Sequence, residues 1–191
     1  MNFKTKFIAE IGSNHNRSLS RCYKLIDEAK KLGFYAVKFQ LFRIEKLFSK
    51  DAKKFYKNLK SIKRRELPLR FVPKLHNYCK KKKIKFSCTP FDLDAVEFLR
   101  KYVDFYKIAS YEINWEELLQ ACAKTNKKII LSTGMATFVE VKKAFSILKK
   151  FNSKISLLHC VSAYPAKPIS CKWKKERIPK FRHRAGESIE E

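Results

Sequence analysis

The sequence predicts an α/β chain of about six strand–helix units, the pattern of an incomplete (β/α)8 TIM barrel. Three observations carry that prediction. Short runs with strand character alternate with runs of helical periodicity, which argues for a parallel sheet. No glycine-rich phosphate loop follows the first strand, as a dinucleotide-binding open sheet would have it. Almost every predicted strand ends in polar residues: Glu10; Lys38 and Gln40; Ser87 and Thr89; Lys107 and Ser110; Ser132 and Thr133; His159 and Ser162. In a barrel those ends converge on one mouth, where the chemistry sits.

In chain order, Phe7 to Ile11 reads as a buried strand followed by a Gly-Ser-Asn-His-Asn loop. Leu19, Cys22, Leu25, Ile26, Ala29 and Leu32 recur at helical spacing, with Ser18 placed to cap the start and Gly33 just past the end. Tyr35 to Gln40 is the second strand. Leu41 to Leu69 is basic and irregular but holds Phe42, Leu47, Phe48, Phe55, Tyr56 and Leu59, which predicts a helical excursion packed on the body. Pro73 suits the first turn of the next helix. Ile84 to Cys88 is the third strand, and a helix follows Asp92. Phe105 to Ala109 is the fourth strand, and Asn114 with Glu117 has the spacing of a capping box. Lys128 to Ser132 is the fifth strand, Thr137 with Glu140 makes a second capping box, and Ile155 to Cys160 is the sixth strand.

Composition narrows the class. With 45% hydrophobic and 14% aromatic residues, the 191-residue chain can bury a core in spite of 32% charged residues. It has no apolar stretch near the roughly 20 residues that cross a bilayer. Met1 to Lys6 leads into only a short apolar run before Glu10, so the expectation is a soluble, cytoplasmic chain with no signal peptide and no membrane partner. None of the six cysteines lies in a C-x-x-C pair, and four fall at apolar positions of a helix or strand, which predicts reduced thiols used as small hydrophobes. The formal net charge of +26 raises nucleic acid or an anionic membrane as partners. The lysines are spread along the whole chain, however, with no arginine–glycine repeat or aromatic-interleaved basic stripe. A basic anion- or nucleic-acid-binding module is therefore the alternative reading, and attraction of anionic substrates into a cleft is the leading one.

Lys107 is the most informative residue. It interrupts the apolar strand Phe105-Tyr106-Lys107-Ile108-Ala109; if Tyr106 and Ile108 face the helices, Lys107 faces the barrel interior. Lys38 repeats the arrangement in Ala36-Val37-Lys38-Phe39-Gln40. Buried ammonium groups need an anionic partner, and Glu10 can serve one of them. Two readings follow: an internal Lys–Glu pair that holds the barrel together, or a site for an anionic substrate. Phosphate suits the second, because the hydroxyls of Thr89, Ser110 and Ser132 converge alongside. His15 is a turn residue or a ligand, and His159 a core histidine or a site residue. Glu112 is an acid–base group or a turn cap, and Tyr164 a mouth or a rim residue.

Six segments, in order and at the strand ends, resemble the N-acetylneuraminate (sialic acid) synthase family, whose relatives include pseudaminic and legionaminic acid synthases. They are Ile8-Ala9-Glu10-Ile11-Gly12-Ser13-Asn14-His15-Asn16, Val37-Lys38-Phe39-Gln40, Cys88-Thr89-Pro90-Phe91-Asp92, Tyr106-Lys107-Ile108-Ala109-Ser110, Leu131-Ser132-Thr133-Gly134-Met135 and Leu157-Leu158-His159-Cys160-Val161-Ser162-Ala163-Tyr164-Pro165. The resemblance covers about Phe7 to Pro168. It implies condensation of phosphoenolpyruvate with an N-acetylated hexosamine such as N-acetylmannosamine, helped by a divalent metal (Mn²⁺ or Mg²⁺) that polarises the sugar aldehyde. On that resemblance Lys38 and Lys107 bind the phosphoenolpyruvate anion, with Thr89, Ser110 and Ser132 donating hydrogen bonds. Glu10 orients the sugar or activates water, Glu112 and Tyr164 lie on the sugar side, and Gln40 is a further substrate-binding residue. Ser162 stands where many members carry Asn, and still reaches a phosphate.

The family continues into strands that carry Ser-Asp-His and Glu-Lys-His, whose histidines bind the metal, and then into an antifreeze-like domain through which relatives form homodimers. Residues 169–191 match none of these, and His183 is neither ligand. The sequence thus predicts a partial barrel over 1–168 without its metal ligands, and an out-of-frame or truncated tail over 169–191. On this expectation the chain by itself is an inactive fragment.

Overall fold

The computed structural model describes residues 5–49, 51, 59–152, 154–163 and 165. Six strands form one sheet in the order β1-β2-β3-β4-β5-β6: Ile8–Gly12, Ala36–Leu41, Lys85–Pro90, Phe105–Ile108, Lys128–Ser132 and Ile155–Leu158. Every neighbouring pair is parallel. A doubly wound sheet reverses its strand order at a switch point. This one runs straight through in sequence order, as the wall of a (β/α)8 barrel does. Each strand lies within about two residues of its predicted place, the usual uncertainty of element ends.

Alternation along the strands separates two layers. Val37, Phe39 and Leu41 of β2 join Phe86, Cys88, Tyr106, Ile108, Ile129 and Leu131 in the main core beneath the helices. The helices are α1 Leu19–Lys31, α4 Val72–Lys82, α5 Leu93–Leu99, α6 Glu116–Lys124 and α7 Phe138–Lys149, which bury Ile26, Leu75, Leu99, Leu118 and Leu148 against that face. The opposite face carries a small cluster of Ala36, Phe105 and Ile130 with Ile8 packed on it. Lys38, Gln40 and Lys107 keep the same strand phase as Ala36 and Phe105, so they lie on the concave side, farther toward the strand ends.

Capping follows the sequence in most places. The Ser18 hydroxyl accepts from the Arg21 N–H at 3.2 Å, and Gly33 takes the left-handed φ of +79° that ends α1. Asp92 accepts from the Ala95 N–H at 2.8 Å, and Thr137 with Glu140 forms both halves of a capping box. The expected Asn114–Glu117 box is absent. After β4 the chain makes a 3-10 turn, Ser110–Glu112, and α6 starts at Glu116 with Trp115 in the N-cap position, where its side chain makes no capping bond. Asn114 instead donates to Glu140 Oε1 at 2.7 Å, a charge-assisted bond that competes well with a neutral cap.

The expected excursion after β2 contains α2 Ile44–Leu47, α3 Leu59–Lys63 and a 3-10 turn Leu69–Phe71, with Phe42, Ile44, Leu67 and Phe71 buried. Phe55 and Tyr56 lie outside the described residues. Cys22, Cys79, Cys88 and Cys122 are buried free thiols, as predicted; Cys171 lies outside the described residues. Burial pushes the Cys22 thiol up to about 11 and Cys79 up to about 12, so both stay protonated and unreactive at neutral pH.

Candidate active site at the strand ends

The register of the first three strands builds one corner of the site. Glu10 stands beside Lys38 in the ladder, and Lys38 beside Ser87. Lys38 is only 5% exposed, forms an ion pair with Glu10, and donates to Thr89 Oγ1 at 3.3 Å. Gly12, with φ +54°, leaves room for this corner: a Cβ there would come 3.2 Å from Glu10 Oε1 and 3.9 Å from the Gln40 amide. Glu10, Lys38, Gln40 and Thr89 are therefore brought together at this corner.

Lys107 faces the same concavity from β4 and is half-buried, with no ion pair among the described residues. Burial lowers its pKa below the ordinary lysine value, and the Lys38 charge pushes the same way. Glu112, in the 3-10 turn that follows, is buried with Oε2 unpartnered among the described residues. Burial raises its carboxyl above the ordinary range, against a lowering by a backbone hydrogen bond and by Lys107. Lys107 and Glu112 thus sit in one electrostatic neighbourhood while each remains incompletely compensated.

The third group comes from three successive strand ends. The Gly134 N–H, after β5, donates to Ser110 Oγ at 3.0 Å. A Cβ on Gly134 would overlap Ser162 Oγ, lie 3.0 Å from Ser110 Oγ and 3.3 Å from Cys160 Cβ. Ser110 and Ser162 therefore approach the backbone at a point where only a glycine fits. Ser132 Oγ is buried and unpartnered among the described residues. An unpartnered buried hydroxyl on the face that also holds the half-buried Lys107 has the chemistry of a site for an oxyanion.

Other candidates fall elsewhere. His159 is exposed rather than part of the core, because β6 ends at Leu158 and the chain has already left the sheet. His15 is a buried turn residue. Its Nδ1 accepts from the Arg17 N–H at 2.9 Å, and its ring lies 6.4 Å from Phe39, which belongs to the helix-facing core. Tyr164 and His183 lie outside the described residues. Sequence reasoning missed Arg43, whose guanidinium makes a two-pronged contact with Asp92 at 2.6 and 3.3 Å and ties the loop after β2 to the loop after β3. The signal was present in Asp92, which serves both as helix cap and as ion-pair partner. Among the described residues, no three His, Cys, Asp or Glu side chains gather as a metal ion would require.

With this geometry in hand, comparison with known proteins decides the family. The sequence matches the NeuB family over residues 25–184. The chain belongs to the NeuB family. It is 42% identical over 177 residues to the N,N'-diacetyllegionaminic acid synthase of Campylobacter jejuni, covering 85% of this chain and 53% of that protein. It is 32% identical to the N-acetylneuraminate-9-phosphate synthase of Drosophila melanogaster, covering 86% of this chain and 47% of the relative. The crystal structure of the sialic acid synthetase from Leptospira borgpetersenii in complex with citrate superposes with a TM-score of 0.80 at 35% identity, over 90% of this chain and 59% of that one. The NeuB chain therefore spans about half the length of the curated relatives it matches. The relatives named here are sugar-acid synthases, and the six-stranded sheet of this chain matches part of a solved barrel of their fold.

Proposed function

We propose that the concave face supplies the phosphoenolpyruvate side of a sugar-acid synthase site. The full reaction is condensation of phosphoenolpyruvate with an N-acetylated hexosamine of the N-acetylmannosamine type. The observation that carries this reading is the uneven charge of the cavity. Lys38 and Lys107 both face it, Glu10 is paired with Lys38, and Lys107 has no ion-pair partner among the described residues. The Lys38–Glu10 pair fulfils the structural reading for one lysine and leaves the other to an anion. Phosphoenolpyruvate carries a phosphate, which suits the unpaired Lys107, and a carboxylate, which can share Lys38 with Glu10.

In this reading Lys107, Ser110, Ser132, Ser162 and the Gly134 turn surround the phosphate, and Lys38 with Thr89 holds the carboxylate end. Glu10 and Gln40 face the sugar from one side and Glu112 from the other. The phosphoenolpyruvate methylene carbon attacks the aldehyde carbon of the open-chain sugar, forming the C–C bond. The aldehyde oxygen takes up a proton, water adds at the enol carbon, and the C–O bond to phosphate breaks, so phosphate leaves and a nine-carbon 2-keto acid remains. Glu10 accepts the proton of the attacking water, and the raised pKa of Glu112 suits it to donate to the aldehyde oxygen. The resemblance assigns aldehyde polarisation to a divalent metal. The described residues do not assemble its ligands, and no step is derived through it. The division into barrel residues 1–168 and a tail of 169–191 belongs to the same proposal, although the family match crosses that boundary.

Calorimetric titration of phosphoenolpyruvate into the purified chain tests this reading. Lys107→Met is expected to weaken binding by at least about tenfold, the effect of removing one partner of a buried charged contact. Equal affinity in the variant would overturn the assignment. Phosphate release with N-acetylmannosamine and Mn²⁺ then asks whether the chain turns over by itself.

A further inference from the structure

The lysines that look evenly scattered along the sequence are gathered by the fold. In a parallel α/β sheet all helix C-termini and strand N-termini share one end, opposite the mouth. The connections α1–β2, α4–β3, α5–β4, α6–β5 and α7–β6 lie there, and each carries two or more lysines or arginines in the last helical turn or the loop. Lys31, Lys81, Lys83, Lys101, Lys124 and Lys150 among them are exposed. The acids close by are Asp104, held by Lys85 at 2.7 Å, Asp27, held by Lys82 at 2.6 Å, Glu97, 3.9 Å from Arg100, and Glu28. Lysines at helix C-termini are favoured by the helix dipole, which accounts for part of the bias.

The dipole does not account for what stands among them. Phe7 is 62% exposed, Leu32 71%, Tyr35 38% and Phe151 43%, all in the same end face. Lys6 and Lys124 reach over the rings of Tyr35 and Phe151 at 5.6 and 5.1 Å, so cations and apolar groups are interleaved. We propose that this end of the barrel docks on an anionic lipid bilayer, with the lysines at the headgroups and Phe7, Leu32 and Phe151 inserted at the acyl boundary. The mouth then faces away from the membrane. The chemistry favours lipid over nucleic acid in two respects. The cations are almost all lysine, point charges rather than the planar forks that grip phosphates and bases. Within this end face the most exposed apolar side chain is aliphatic Leu32, which inserts but does not stack. Such docking needs no membrane-crossing helix, and none of the described helices is long and apolar enough to be one.

Cosedimentation of the purified chain with phosphatidylcholine vesicles containing about 30% phosphatidylserine, or none, tests the proposal, beside retention on single-stranded homopolymer RNA. Salt-sensitive binding to the anionic vesicles and not to the neutral ones is expected. Lys31, Lys81, Lys101 and Lys150 changed together to Glu should lower the partition coefficient at least about a hundredfold, at about fivefold per lysine. The separate variant Phe7→Ser, Leu32→Ser, Phe151→Ser should also lower it at least about tenfold, with circular dichroism confirming that both variants fold. Vesicle binding unchanged by the apolar variant would overturn the proposal. So would tighter retention on RNA than on vesicles at matched salt, which would assign the face to nucleic acid.

Discussion

Replacing Lys107 by Met should make the protein more stable. The ammonium is half-buried on the concave face, and Lys107 itself has no ion pair with a described residue. A buried charged donor without a partner costs about 1–3 kcal/mol, and a thioether of similar volume removes that cost. For a chain of this size each kcal/mol moves the midpoint by about 2–4 °C, so a rise of about 2–12 °C is expected near neutral pH. The pH dependence supplies a sharper check. Burial lowers the folded-state pKa below the ordinary 10.5, so below the folded value both states hold the proton and the full penalty is present. Between the folded value and 10.5 the unfolded chain binds more protons, and wild-type stability rises relative to the variant. The gain from Lys107→Met should therefore shrink as pH climbs toward 10.5. Lys38→Met is the control: it frees Glu10, whose side chain is 50% exposed and can be solvated, so the change should stay within about 1 kcal/mol. Thermal unfolding followed by circular dichroism across this pH range decides. A destabilised Lys107→Met, or a gain that does not vary with pH, would refute the view that the concave face holds an uncompensated cation.

Two further outcomes follow from the same cavity. Glu112→Gln should leave stability unchanged in acid, where the carboxyl is protonated in both states, and raise it by about 1 kcal/mol at neutral pH. The reason is that a raised folded pKa means wild-type stability falls as pH rises from the ordinary carboxylate value through the folded one; a pH-independent difference would contradict it. Gly134→Ala should cost about 1–3 kcal/mol and weaken phosphoenolpyruvate binding, because its Cβ meets Ser162 and Ser110 together. Unfolding and calorimetry on that one variant check both effects, and an unchanged midpoint would show that the serines can move aside.

The strands were legible because each is a short run of β-branched and aromatic residues with a polar end. The phase of those runs also placed Lys38 and Lys107 on the inner face. Thr137 and Glu140 announced their capping box because the motif is closed within four residues. Asn114 and Glu117 have the same spacing, but a partner from another helix, Glu140, took Asn114, and spacing holds no information about such a competitor. His159 misled for a related reason: whether a strand runs to Leu158 or Cys160 depends on its neighbour β5, not on its own residues.

By itself, then, the sequence determined the order of the elements, the inward lysines and the hydroxyls at the strand ends, since period and polarity are local properties of the chain. Tertiary structure decided which groups remain uncompensated. The β1–β2 register pairs Glu10 with Lys38 and not Lys107, and the Gly134 turn brings Ser110 to Ser162 across residues distant in sequence. It also decided the meaning of the positive charge. Scattered evenly in one dimension, many of the described lysines share one end in three, because every helix of a parallel α/β wall must finish on the same side.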